Sequence, residues 1–333
     1  MEKTSFLLLA LTIIATIGVF NYAPETETQP IEELYQYKVE FNNFMFQFNK
    51  KYDAQEQAYR FKIFKDNLIK VNQHNKDSTK TYLMGVNQFT DMTQDEFVQQ
   101  ILVNNMMDLK TVEAKKETIE VEAPTEVDWR NKGVMTPVKN QGQCGSCWSF
   151  STTATLESSV AIAKQTLYSF SEQQLVDCCG AKGFQCQGCS GAWPEWALNY
   201  INSAGIVLET EYPYTAKNGA CKATPTAKKF LNSAKPWTML SGTESIKSAL
   251  ATTGPISICV DASNWSAYRS GVFSNCGTTT LNHAVTLIGY QADGTWIVRN
   301  SWGTSWGEQG FIRLGTGGTC GLDKHALIPN LAW

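Results

Sequence analysis

Asn140-Gln141-Gly142-Gln143-Cys144-Gly145-Ser146-Cys147-Trp148-Ser149-Phe150 is the stretch on which the reading of this chain turns. Two glycines and a serine make a loop, and an apolar run with helical spacing follows. Trp148, Leu156, Val160 and Ala163 share one side of a helix predicted over 147–165. Thr152, Thr153 and Thr155 are poor helix formers, so such a helix must be held by packing, as a central buried helix is. Cys147 falls at its first turn. Unpaired backbone N–H groups and the positive dipole end there favour a thiolate over a thiol.

Outward from this stretch the chain divides. All ten cysteines lie at or beyond Cys144, so the N-terminal part has none. An apolar run from Phe6 to Phe20 is shorter than the roughly 20 residues of a spanning helix and ends in polar sequence. It is read as a cleaved secretory signal over 1–20, with no stable membrane anchor, and it makes disulfides the expected state of most cysteines. The 333 residues carry a net charge of −3, which gives no electrostatic footprint for nucleic acid.

Residues 31–76 contain neither Pro nor Gly. Ile31, Leu34, Tyr35, Val39, Phe44 and Phe48 are spaced as one helix face, and Glu56, Arg60, Phe64, Asn67, Val71 and Asn75 as a stripe on a second helix. Taken alone, that stripe is an ordinary amphipathic face. Tyr82 to Asp91 alternates like a strand. Leu109 to Glu122 is charged and free of aromatics, an exposed linker open to proteolysis. Beyond it lie an extended lead-in over 123–139, a capped helix from Ser171, and a helix over 193–204. Strand-like runs follow at 256–260, 283–290, 296–299 and 310–314. A helical half thus precedes a β half, and a cleft between two such units is a common place for a site.

Only three histidines occur: His74, His283 and His325. His283 opens a buried-strand pattern 136 residues after Cys147, and Asn300-Ser301-Trp302-Gly303 follows, with Asn300 153 residues after Cys147. This order and spacing resemble the papain family of cysteine proteases, whose Cys-Gly-[Ser/Ala]-Cys-[Trp/Tyr] motif has its His and Asn about 130 to 150 residues downstream. The resemblance runs over residues 31–333 and is nearest the cathepsin L branch in zymogen form. The Glu56–Asn75 stripe is similar to the ERFNIN motif of the inhibitory propeptide, with Val71 for the usual Ile. Gly85, Asn87, Phe89 and Asp91 resemble its GxNxFxD motif.

The resemblance implies an α+β, papain-like fold of two subdomains, helical and β-barrel-like, with a cleft between and a mainly helical propeptide in front. The corresponding domains are a propeptide over 21–122 and a peptidase over 123–333, whose helical half spans about 123–234 and β half about 235–333. It makes Cys147 the nucleophile, His283 the base, Asn300 the group that orients the imidazole and Trp302 the cover over their bond. Thiolate–imidazolium pairs of this kind draw the thiol to about 3 to 4. Gln141 would donate, with the Cys147 backbone N–H, to the oxyanion. The implied disulfides are Cys144–Cys189, Cys178–Cys221 and Cys276–Cys320. Cys179 and Cys186 flank a six-residue loop and could form a fourth, leaving Cys259 an inert buried thiol.

Substrate-binding positions carried over by the resemblance are Gly191, Ala192, Trp193, Pro194, Cys259, Ala284 and His325. Ala192 departs from the usual Cys-Asn-Gly-Gly and adds a methyl beside the substrate backbone. Trp193 and Pro194 predict an apolar or aromatic preference just before the scissile residue. His325 is expected either to carry a positive charge in acid that tolerates an acidic side chain, or to face solvent. Asn264-Trp265-Ser266 is a glycosylation sequon on an expected surface loop. Protein or peptide substrates, the chain's own propeptide as inhibitor, a monomer, and no cofactor or metal are expected. So are an acidic or extracellular destination and endopeptidase action, since no long insertion follows Trp193. Acid is expected to loosen propeptide carboxylates such as Asp91 and Glu56. Two other readings compete. Cys144-x-x-Cys147 and Cys186-x-x-Cys189 have zinc or dithiol-redox spacing, and a non-catalytic, inhibitor-like homologue would use residues 31–91.

Overall fold

A computed structural model describes residues 31–103, 106–222, 224, 226–277 and 280–332. The apolar run read as a signal lies outside them. No helix among the described residues is long and apolar enough to cross a membrane.

The N-terminal part is two helices, a short strand and a third helix: α1 (Ile31–Gln47), α2 (Ala54–Lys76), β1 (Tyr82–Met84) and α3 (Gln94–Ile101). Phe41 and Phe44 of α1 bury against Phe64 and Leu68 of α2, whereas Tyr35 is exposed, so the buried face of α1 lies on its second half. The stripe on α2 does more than an amphipathic face requires. Arg60 pairs with Glu56 and Glu96 and donates to the Asp91 carbonyl. Asn67 donates to the carbonyls of Thr90 and Met92, and Asn75 brackets Met84 through both its amide atoms. The stripe therefore clamps residues 84–96 in place. Within that segment the predicted strand stops at Met84. Asn87 Oδ1 accepts from the Phe89 N–H and Thr90 N–H bonds the Asn87 carbonyl, a side-chain-directed turn that ends the extended run. Thr93 and Glu96 then form a capping box at α3.

The remaining elements are β2 (Val127–Asp128), α4 (Cys147–Lys164), α5 (Glu172–Cys178), α6 (Pro194–Ala204), β3 (Trp237–Met239), α7 (Gly242–Thr252), β4 (Ile256–Val260), β5 (Tyr268–Phe273), β6 (His283–Tyr290), β7 (Trp296–Arg299), β8 (Phe311–Leu314) and β9 (Ala326–Pro329). The nine strands join in the order β1-β5-β8-β7-β6-β4-β9-β3, with β2 against β6, an open path whose ends β1 and β3 do not pair among the described residues. β1 adds the N-terminal part to the sheet edge at β5, which is strand addition within one chain.

Two cores result. One lies in the sheet and takes in Phe89, Phe97 and Trp302; the other packs α4, α5 and α6. α4 is buried from Cys147 to Ala161, and several of its hydroxyls find partners in place of water: Ser151 donates to the Val285 carbonyl, Thr152 to Trp148 and Thr153 to Glu172. The boundary between halves differs from the sequence division. The lead-in lies on the β half, where β2 pairs with β6 and the Trp129 indole donates to Leu250. The chain end returns to the helical half, with the Ala332 N–H on the Phe230 carbonyl. Each half is thus strapped by a segment from the other end of the chain. Disulfides join Cys144–Cys189, Cys178–Cys221, Cys179–Cys186 and Cys276–Cys320, and Cys147 and Cys259 are free.

Candidate active site

Cys147 begins α4 and shares an apolar cluster with Ala284 of β6, the residue that follows His283. His283 Nε2 lies 2.8 Å from Asn300 Oδ1. The Ser301 N–H also donates to that oxygen, so the amide is oriented and Oδ1 can only accept. Nε2 therefore carries the proton, and Nδ1 keeps a free lone pair, buried without a partner among the described residues. Trp302 stacks on the imidazole with ring centroids 4.7 Å apart and is fully buried.

Gln141 is buried in the loop. Its Oε1 accepts from Ser301 Oγ at 2.7 Å. Its Nε2 donates at 2.9 Å to the Cys144 carbonyl and at 2.9 Å to the Ile101 carbonyl of the N-terminal part. A chain carbonyl thus already sits on the amide aimed at the cleft. The next residues continue the occupation. The Val103 N–H bonds the Asn282 carbonyl, and a Cβ on Gly191, at φ +111°, would come 2.4 Å from Val103 Cγ1. Val103 and Met106 join Cys147, Trp193, Cys259 and Ala284 in one apolar cluster. Phe89 and Phe97 stand edge-on to Trp302, each at 5.4 Å.

This cover changes the electrostatics expected from the sequence. Burial pushes the Cys147 thiol up to about 12, against the pull of the backbone N–H groups of Ala284 and Trp148. Burial also pushes His283 down to about 4, against the support of Asn300. In the closed chain the pair is a neutral thiol and a neutral imidazole, not the expected ion pair. The helix N-terminus favours a thiolate, but removing water from both partners outweighs it.

The carried-over pocket residues meet in part. Trp193, Cys259 and Ala284 line the cluster beside Cys147, while Pro194 opens α6 and Ala192 is buried in the helical core. His325 is 7 % exposed and does not face solvent. It stacks on Trp193 at 4.4 Å, and its Nε2 lies 2.9 Å from Glu195 Oε2. His325 therefore packs against Trp193 and pairs with Glu195. Glu195 was not singled out in the sequence, where a glutamate in the first turn of a helix reads as dipole-compensating. Its partner is 130 residues away. Behind the site, Lys139 bonds Glu157 and Glu172 and reaches Glu209. Burial pushes Glu172 up to about 7 despite Lys139.

The comparisons agree with this geometry. The profile of the papain family cysteine protease matches residues 123–330, and that of the cathepsin propeptide inhibitor domain (I29) matches 41–97. The chain belongs to the papain family of cysteine proteases. It is 41 % identical over 296 residues to cathepsin L 2 of Paramecium tetraurelia, covering 87 % of this chain and 92 % of that one. It is 38 % identical to digestive cysteine proteinase 1 of Homarus americanus, covering 87 % and 94 %. Among solved structures it superposes on procathepsin L 3 of the Tenebrio molitor larval midgut with a TM-score of 0.79 at 33 % identity, covering 89 % and 99 %. On the stem bromelain precursor the TM-score is 0.80 at 35 % identity, covering 90 % and 100 %. The chain is a papain-like cysteine peptidase carrying its own propeptide inhibitor domain. The zinc and dithiol readings fail on the sulfurs themselves, since Cys144 and Cys189 are bonded to each other and Cys186 to Cys179.

Proposed function

We propose that this protein is the zymogen of a cysteine endopeptidase with Cys147 as nucleophile, His283 as base and Asn300 as the group that fixes the imidazole. The observation that carries this is the His283–Asn300 bond, which leaves Nδ1 buried and unpartnered among the described residues, one residue before Ala284 of the cluster that holds Cys147. Once the cleft opens, water returns, His283 takes the thiol proton and the thiolate attacks a peptide carbonyl carbon. The oxyanion receives hydrogen bonds from Gln141 Nε2 and the Cys147 backbone N–H, in the place the Ile101 carbonyl now fills. His283 protonates the leaving amine, and a water deprotonated by His283 hydrolyses the thioester. Trp302 keeps water from the His283–Asn300 bond.

The reading extends to the rest of the chain. Residues 1–20 direct it into the secretory route, toward an acidic or extracellular site, where acid loosens the propeptide of 21–122. The peptidase of 123–333 acts as a monomer on proteins and peptides. Gly191, Ala192, Trp193, Pro194, Cys259, Ala284 and His325 border the substrate, and the indole of Trp193 favours an apolar side chain before the scissile residue. Labelling with a thiol-directed epoxide after acid treatment tests the core of this. Wild type should be labelled and Cys147→Ser should not; equal labelling of the two would remove Cys147 from its role.

A further inference from the structure

The segment joining the two domains is pinned at both ends and bare between. On the upstream side the Trp193 and Trp196 indoles donate to the carbonyls of Leu109 and Lys110, at 2.9 Å and 2.7 Å. The Val112 N–H reaches Glu195 Oε1 at 3.4 Å. On the downstream side the Glu117 N–H bonds the Met239 carbonyl, and the Glu117 carbonyl accepts from Ser241. The Ile119 N–H donates to Ser245 Oγ, Ser248 Oγ donates to the Val121 carbonyl, and Tyr290 donates to that of Pro124. Glu117 pairs with Lys235, and the side chain of Ile119 packs on the core of the β half. Between these anchors Glu113, Ala114, Lys115 and Lys116 are exposed, and no backbone hydrogen bond is recorded for them among the described residues. The one polar tie there is the Lys116 ammonium on the Lys324 carbonyl.

We infer that the first proteolytic cut falls between Glu113 and Glu117, and that residues 117–122 stay docked on the peptidase as a clamp strand after the propeptide is severed. This rests on the cysteine-protease zymogen reading and sharpens it. A protease must draw several residues of bare extended chain into its cleft, and this is where the backbone is free without first breaking anchors. The sequence alone made all of 109–122 equally open; the contacts leave four residues. The cut is made in trans by a second, active copy, because Val103 and Met106 cover Cys147 of the same chain. One water is consumed: its hydroxyl joins the carbonyl carbon, its proton the departing nitrogen, and the C–N bond breaks. The propeptide keeps its C-terminal anchors at Trp193 and Trp196 but loses its covalent tether, so its release becomes concentration-dependent. The clamp remains as a bridge from 117 to Leu240, beside β3.

Two arms test this on the full chain. In the first, wild type is acidified and the earliest product is identified by N-terminal sequencing and intact mass. A start between Ala114 and Glu117 is expected; a start at Thr118 or later, or upstream of Ala114, overturns the inference. In the second, the Cys147→Ser chain is given trace trypsin at neutral pH, which does not depend on the chain being a protease. The first cut should follow Lys115 or Lys116, and a first cut elsewhere overturns the inference. In that cut product the Glu117 and Ile119 amides should exchange at least about tenfold more slowly than in a free peptide of residues 117–122; equal rates would remove the clamp. Tryptic cutting at these lysines with no acid processing of wild type would count against the proposed function and leave the site standing.

Discussion

Acid should open the closed chain through His283. Its imidazole is fully buried under Trp302 and lies at about 4, against an ordinary 6.5. The depressed value means the closed state prefers the neutral ring. Its contribution is complete above 6.5 and is lost as pH falls through 6.5 toward 4, because the opened chain takes up a proton that the closed one refuses. At pH 5 the linkage amounts to about 2 kcal/mol of the roughly 3 kcal/mol available below pH 4 for these two values. That is about a thirtyfold rise in the open population. Pairing with the freed thiolate widens the gap further. Glu96 of the propeptide acts lower. Burial pushes Glu96 up, but its bonds to Arg60 and Thr93 outweigh this and hold it below 4.5, so its share is lost only beneath that pH. The interval from pH 7 to 5 therefore lies above Glu96 and spans the histidine, which a His283→Gln control separates from other groups. The assay is hydrogen exchange at the Val103 amide, which bonds Asn282 across the cleft, in a Cys147→Ser chain that cannot process itself. After correction for intrinsic rates, protection should fall about twentyfold from pH 7 to 5 and stay nearly flat in Cys147→Ser/His283→Gln. Equal losses in the two chains would refute the reasoning and return the trigger to the carboxylates.

Other consequences concern the site and its support. With the thiol near 12, only about one precursor molecule in 10⁵ is a thiolate at pH 7, so iodoacetamide should label Cys147 at least about a thousandfold more slowly before acid activation than after, and rates within tenfold would contradict a neutral pair. Gln141→Ala should lower kcat about 10²- to 10³-fold with KM little changed, since it removes a donor to the oxyanion; an unchanged kcat in single-turnover kinetics would place the donor elsewhere. Lys139→Met strands the buried carboxylates of Glu157 and Glu172 and should cost about 3–5 kcal/mol in urea unfolding at pH 7, with the loss shrinking as pH falls, because removing the cation pushes Glu172 further up and its protonation relieves the stranded charge. A loss under about 1 kcal/mol would mean that the carboxylates share a proton already.

Much of this molecule is legible one residue at a time. The helix from Cys147, the cap at Ser171, the strand from His283 and the stripe from Glu56 to Asn75 follow from periodicity and end signals confined to a few residues. The proposed trio of Cys147, His283 and Asn300 rests on the resemblance of these residues to the papain family's motif, not on periodicity. What tertiary structure alone decided is how those residues are charged and what covers them. The alternation of 82–91 did not show that the chain turns at Asn87, because the turn is made by the Asn87 side chain accepting from Phe89, and Asn67 and Arg60 then hold the turned segment. Nothing near His325 in sequence announces Glu195, and nothing near Cys147 announces that Val103 and Met106 exclude its water. Helical and strand periods are set by neighbours along the chain. Desolvation and ion pairing are set by neighbours in space, and only the folded chain brings those together.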